Sequence, residues 1–359
     1  MREACTVAKT TQTLSSKLSL DGDRVTLKAS KVTQVLADIF LRLGCDAETA
    51  AAVAAHLVET ELSGIESHGI MRCLQYANQF RTGYMLAKAR PELRTTAKGV
   101  VEVDGNGGIG IPAMRLAVDT CCDMASASGI TAVPVRSVGH TGRLGAYAER
   151  GADRGFFVMI VGGGGRQNWR QVAPYGGKKA VLPTNPFCFA MPGGERGPVV
   201  VDFATSIIAG GWLYAARTAG ARVPEGAIID ADGVPSRDPE AYFNGGAILP
   251  KGGPMGYGLA VMAELICEAM LGPVTTEVNW LVLALDTNRY RQAGTLQTVA
   301  EEILRELREC PPADGFERVE IPGERERERR QANTEGLIQS PENTWSEIQA
   351  LARSLGIGD

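Results

Sequence analysis

Histidine is scarce in this chain: 359 residues contain three, His56, His68 and His140. They lie far apart and show no HExxH spacing, so no metal site is expected. The eight cysteines, at positions 5, 45, 73, 121, 122, 188, 267 and 310, form no CxxC pair, and most fall in apolar runs. They read as reduced core thiols, which points to a cytoplasmic address. No apolar run reaches transmembrane length, and the first 25 residues lack an apolar core of signal-peptide length. Positive charge is not in excess: 37 Lys and Arg against 41 Asp and Glu leave a net charge of −4, no field for nucleic acid. A GxSxG elbow is also missing, which leaves serine hydrolase chemistry without support.

What is present is an ordinary globular composition, 44% hydrophobic, long enough for one large domain or two. Residues 1–25 are polar and unpatterned and read as a loose tail. Ser30 is placed as the N-cap of a helix carrying Val32, Leu36, Ile39 and Phe40, closed by Gly44. Asp46 caps a second helix, ended by Gly64. Ile70, Cys73, Leu74, Ala77 and Phe80 mark a third. From Val100 onward the texture changes to short β-branched runs alternating with helical patterns, rich in Gly and Pro, as in an α/β domain. After Pro254 it turns helical again. The alternating charges of 324–330 read as a solvated face or loop.

Gly105-Asn106-Gly107-Gly108-Ile109-Gly110 matches GxGxxG between a strand and a helix, the context of a dinucleotide fingerprint. The next strand should then end in an acid that holds the ribose, but it ends at Arg136-Ser137. An ordinary turn after Asp104 is the competing reading, and an Arg at that strand end would suit a 2′-phosphate.

The chemistry-bearing segment is Ser67-His68-Gly69-Ile70-Met71-Arg72. An imidazole titrates near neutral pH and suits general acid–base work. A guanidinium four residues on forms the usual fork for a carboxylate. With Arg72 one turn inside a helix that starts after His68, both would face one pocket. The competing readings are a capping histidine and a surface ion pair.

Several segments in order resemble the malate/L-lactate dehydrogenase family, which is distinct from the Rossmann lactate and malate dehydrogenases. They are Gly64-Ile65-Glu66-Ser67-His68-Gly69 with Arg72; the 104–110 run; Gly139-His140-Thr141-Gly142-Arg143-Leu144-Gly145; Ala173-Pro174-Tyr175-Gly176-Gly177; Pro183-Thr184-Asn185-Pro186; Val201-Asp202-Phe203-Ala204-Thr205-Ser206; Leu249-Pro250-Lys251-Gly252-Gly253; and Pro322-Gly323-Glu324.

The resemblance implies an α/β homodimer. A mixed-sheet, non-Rossmann cofactor domain (99–254) would sit beside a mainly helical substrate and dimerisation domain formed by 26–98 and 255–359. It implies an NAD- or NADP-dependent enzyme moving a hydride to or from C2 of a small 2-oxo or 2-hydroxy acid. His68 would be the proton donor and acceptor, Ser67 and Asp202 its relay, and Arg72 the substrate anchor. The cofactor would lie along His140, Thr141, Gly142, Thr184, Asn185 and Pro186. Thr205, Ser206, Pro254, Met255, Gly256, Gly323 and Glu324 carry over as further contacts. Few basic residues in these segments lean the choice to NAD. A cyclic imino acid reductase and a catalytically impaired metabolite-binding dimer are the rivals. Trp212 and Met255, where the family often carries a lysine, motivate the last of these. Arg166 and Arg170, in the segment 162–170, are expected to meet an extra acid group on the substrate.

Overall fold

Val32, Leu36, Ile39 and Phe40 recur at three- and four-residue intervals and form the buried face of α1 (Ala29–Arg42). Against it packs α2 (Ala47–Leu62), whose N-cap is Asp46, accepting from the Glu48 and Thr49 amides. The computed structural model describes residues 23–358 apart from 219 and 334. Most of the expected tail lies outside the described residues. Arg24 already opens β1 (Arg24–Lys28), and α1 begins at Ala29 with no side-chain cap, so Ser30 sits inside the first turn.

β1 pairs antiparallel with β12 (Leu337–Pro341), which brings residues 24–28 beside 337–341. This ribbon, α1, α2, α3 (Arg72–Arg81) and α11 (Glu342–Ser354) share one core that includes Tyr76, Ile338, Trp345 and Ile348.

The second core is built on a seven-stranded sheet in the order β2-β3-β4-β11-β5-β6-β7. Its strands are β2 (Glu92–Thr95), β3 (Val101–Gly108), β4 (Ile130–Val138), β5 (Phe156–Gly163), β6 (Pro186–Met191), β7 (Val199–Ala204) and β11 (Val278–Asp286). Only β3 and β4 run parallel; every other pairing is antiparallel. A doubly wound nucleotide fold needs a run of parallel strands, so this is a mixed, non-Rossmann sheet.

α4 (Gly110–Ser128) and α5 (Leu144–Asp153) bury Met114, Val118, Cys121 and Tyr147 with this sheet. α8 (Pro254–Glu264) and a π-helical turn, Leu265–Met270, place Ala263 and Cys267 against Val161 and Phe187. A satellite core gathers α6 (Gly210–Thr218), α7 (Pro239–Phe243) and a small sheet of β8 (Ile228–Ile229), β9 (Pro235–Ser236) and β10 (Ala247–Ile248).

Two boundaries differ from the sequence reading. β11 comes from the segment assigned to the helical part, yet it lies inside the sheet between β4 and β5. Its Trp280, Val282 and Ala284 are too apolar to stay at an edge and are buried in the sheet core. The charge run of 324–330 is the helix α10 (Glu324–Ala332), not a loop. Arg327 and Arg330 both reach Glu149 of α5, at 2.9 and 2.7 Å, and Glu324 takes Arg308 of α9 (Ala293–Glu309) at 2.7 Å.

The glycines of 105–108 form neither a free turn nor an open cradle. They continue β3 through a register shift, with Asn106 at φ 52°. A Cβ on Gly105 would strike Val138, and one on Gly110 would strike Thr141. Their smallness lets the backbone clasp the following loop: Gly139 donates to Gly108 O at 2.8 Å and Gly110 to His140 O at 3.1 Å.

Candidate active site

A cleft of about 1520 Å³ opens where the helical layer meets the sheet. Ser67, His68 and Arg72 line it from one side. His140, Thr141, Gly142, Thr184, Asn185, Pro186, Asp202 and Gly323 line it from the other sides. Thr205, Ser206, Pro254, Met255, Gly256 and Glu324 are not among its lining residues. Thr205 and Ser206 are buried, and the Thr205 carbonyl accepts from the Lys251 amide at 2.7 Å. Gly256 packs onto that junction, while Met255 is 69% exposed. Glu324 is held by Arg308.

His68 closes a 3-10 turn, Glu66–His68, and α3 starts only at Arg72. The helix expected to start directly after His68 is delayed, because Gly69, with φ −86° and ψ −147°, is not helical. Arg72 is therefore the first residue of α3 rather than one turn in. Glu61 of α2 fixes this break by accepting from the Ile70 amide at 2.9 Å, and a Cβ on Gly69 would fall onto its carboxylate. Burial pushes the Glu61 carboxyl up to about 8.

The Ser67 hydroxyl lies 3.0 Å from His68 Nδ1. Arg72 Nε donates to Ser67 O at 2.7 Å and Nη1 to Gln75. Among the described residues Arg72 forms no ion pair, so its charge is uncommitted. His140 stacks on His68 with ring centroids 5.6 Å apart. Its Nδ1 accepts from the Gly142 amide at 3.1 Å and faces the Tyr76 hydroxyl at 2.8 Å. An amide can only donate, so Nδ1 of His140 is the acceptor and Nε2 carries the proton.

His56 is likewise fixed. Its Nε2 accepts from the Arg143 amide at 3.0 Å, and its ring stacks on Tyr147. Burial, with Arg143 and Arg115 nearby, lowers it to about 3. His68 is lowered to about 3 by the crowded cleft wall and the charge of Arg72.

Asp202 Oδ2 accepts from the Gly145 amide at the start of α5, at 2.7 Å, and is not hydrogen-bonded to His68. Solvent reaches it through the cleft, yet the protein atoms around it raise its carboxyl above the usual range. Thr184 O accepts from the Thr205 amide and hydroxyl at 3.0 and 2.9 Å. Asn185, at φ 38°, donates through Nδ2 to Glu264 Oε1 at 2.6 Å.

Arg166 pairs with Glu268 at 2.9 and 3.0 Å, and neither it nor Arg170 lines the cleft. Gly162, Gly163 and Trp169 of that segment do so, with Gln171 just beyond it. Trp169 and Gln171, together with Glu277 and Trp280, escaped the sequence reading because nothing in their spacing signals a site. Their signal is unsatisfied polarity. Nine buried side-chain polar atoms lack a close hydrogen-bond partner among the described residues, and seven of them belong to Arg143, Trp169, Gln171, Asn185, Glu277 and Trp280 of this cleft, although Arg143 Nη2 keeps ion pairs at 3.8 Å with Glu59 and Glu149 and Trp169 lies near the Tyr84 hydroxyl. Orphaned donors and acceptors concentrated in one cavity mark a binding site for a polar ligand.

The malate/L-lactate dehydrogenase family model matches residues 27–349. The chain belongs to this family. It is 32% identical over 342 residues to a Δ1-pyrroline-2-carboxylate/Δ1-piperideine-2-carboxylate reductase of Pseudomonas putida, covering 91% of this chain and 96% of that one. It is 33% identical over 353 residues to an L-lactate dehydrogenase of Cupriavidus necator, covering 92% and 98%. Among solved structures, a putative malate/lactate dehydrogenase from E. coli superposes with a TM-score of 0.85 at 27% identity, covering 93% and 96%. As a member of this family, the chain is an oxidoreductase.

Proposed function

We propose that the cleft is the active site of a nicotinamide-dependent oxidoreductase acting at C2 of a small 2-hydroxy or 2-oxo acid. The observation that carries this reading is the pairing of His68, hydrogen-bonded at Nδ1 to a rotatable hydroxyl, with an Arg72 that has no carboxylate partner. The bound cofactor supplies or accepts the hydride.

Arg72 takes the substrate carboxylate. His68 exchanges the proton at the C2 oxygen, and Ser67 orients its ring. A neutral His68 suits proton removal in the oxidative direction. In the reductive direction, a substrate carboxylate on Arg72 removes that charge's share of the depression of His68, of which burial is the larger cause, and so favours the protonated ring that donates. His140, locked with its proton on Nε2, serves as a fixed donor at the floor of the cleft. Thr184, Asn185 and the unpartnered Trp280 Nε1 offer the polar groups a carboxamide or ribose needs.

Nine acids against four arginines along the cleft favour a cofactor without a 2′-phosphate, hence NAD over NADP. A homodimer is supported by the exposed apolar side chains Met255, Met262, Leu265 and Met270 on α8 and its π-helical extension. The free cysteines fit a cytoplasmic address. Cyclic imino acid reduction is the second reading, favoured by the reductase relative.

The test is His68→Ala. Turnover of lactate, malate and ureidoglycolate falls by about 10²–10⁴-fold, while NADH quenching titrations keep the wild-type affinity. Full turnover in that variant refutes the assignment.

A further inference from the structure

Glu277 is the one acid of the cleft, among the described residues, with a buried carboxylate oxygen that no donor reaches. It directly precedes β11, and its amide donates to Val138 O at 3.4 Å, which fixes it beside the loop that carries His140. The charges facing it are those of Arg72, and the hydroxyls of Tyr76 and Tyr84 lie near. Burial raises its carboxyl to about 7, and Arg72 acts against that rise. The two side chains feel each other across the cleft wall without forming an ion pair.

We propose that Glu277 determines the substrate class: it favours an N–H at the carbon bearing the substrate carboxylate and turns away a second anion. This rests on the cleft being the active site described above.

A carboxylate that settles on Arg72 cancels the charge that holds Glu277 ionised. What remains is a buried carboxylate without a partner, which is costly unless it gains a proton or a donor. A 2-oxo acid brings only acceptors to that place. A dicarboxylic 2-oxo acid brings a second anion against a wall carboxyl that Arg72 no longer offsets. A cyclic 2-imino acid protonated at nitrogen brings an N–H⁺ one bond from C2, which satisfies the orphaned oxygen and restores the lost cation. The same protonation makes the C=N carbon a better hydride acceptor. Hydride from the reduced nicotinamide forms the C2–H bond while the C=N π pair moves to nitrogen. The nicotinamide is oxidised by two electrons, the imine is reduced by two, and the nitrogen keeps its proton as a secondary amine.

The experiment compares the full-length wild type with Glu277→Gln. Substrates are a six-membered cyclic 2-imino carboxylate, oxaloacetate as the dicarboxylate, and pyruvate as the single-charge control. The wild type is expected to prefer the imine over oxaloacetate in kcat/KM by about tenfold or more, and E277Q to reduce that ratio by about tenfold, with pyruvate changed far less. Circular dichroism confirms folding, and Glu277→Ser is the second neutral variant if E277Q does not fold. A ratio unchanged by neutralisation, or a wild type that prefers oxaloacetate, overturns the proposal.

If the wild type turns over none of the three, it is the active-site reading that fails. Glu277 is then judged by thermal shift with pipecolate and L-malate. Selective stabilisation by pipecolate that E277Q loses supports its role, and equal shifts in both proteins refute it.

Discussion

The two imidazoles that stack in the cleft come from unlike regions, and the difference assigns their work. His68 stands in a broken helical segment, and its Nδ1 meets a serine hydroxyl that can donate or accept. Nothing there fixes the tautomer, so the ring is free to gain and lose a proton. His140 stands at the end of β4, and its Nδ1 is tied to a backbone amide that can only donate. Protonating that nitrogen would break the contact. One region is built to move a proton, the other to hold its shape. Residues that look equivalent in sequence, each a histidine beside a glycine, are separated by what their Nδ1 atoms touch.

Arg72→Gln strikes the proton-moving wall hardest. Losing a charge-assisted contact of about 1.5–3 kcal/mol raises KM for a 2-oxo acid roughly 10–150-fold, with cofactor affinity unchanged in a fluorescence titration. An unaltered KM would show that the substrate carboxylate does not sit there.

Gly142→Ala strikes the rigid wall. Gly142 has φ +73°, and a Cβ there would collide with His56 Nε2. We expect about 1–3 kcal/mol of destabilisation in urea unfolding, with KM for substrate moved less than in the arginine variant.

The rigid wall also has a pH signature. His56 is depressed in the folded chain to about 3 from an ordinary 6.5, so between those values the unfolded chain binds the extra proton. Stability from this group is therefore complete above about pH 6.5 and drains away as pH falls towards 3. Glu61 acts with the opposite sign. Raised to about 8, it favours the folded chain at low pH and costs stability as pH climbs from 4.5 to 8. Thermal melts across pH 3–8 should show the acid limb shrink in His56→Gln; an identical limb would sink this account.

The smallest effect is expected for Ser67→Ala, a several-fold loss in kcat, because one neutral hydrogen bond is worth about 0.5–1.5 kcal/mol. A loss as large as that of the His68 variant would mean that the hydroxyl takes part directly.

Much of this was legible in the residues. Apolar spacing marked α1, and Asp46 announced the cap of α2. The order of motifs carried the family and the mixed sheet, and residues from 65–72, 139–144, 183–186 and 201–204 line the cleft while 205–206, 254–256 and Glu324 do not. Other features were hidden because they depend on partners distant in the chain. The run of 324–330 looks solvated until Glu149 and Arg308 arrive to pair with it. Arg166 looks available until Glu268 claims it, and nothing in the spacing of Asp202 shows that one of its two oxygens accepts from the Gly145 amide.

By itself the sequence determined which side chains this protein has for proton transfer and carboxylate binding, because residue type and local spacing suffice for that. Only the tertiary structure decided which of them are uncommitted. Hydrogen bonds and ion pairs saturate, and whether a group is already spent depends on neighbours up to hundreds of residues away. Arg72 and Glu277 kept their capacity in the fold, whereas Arg166 and Glu324 did not.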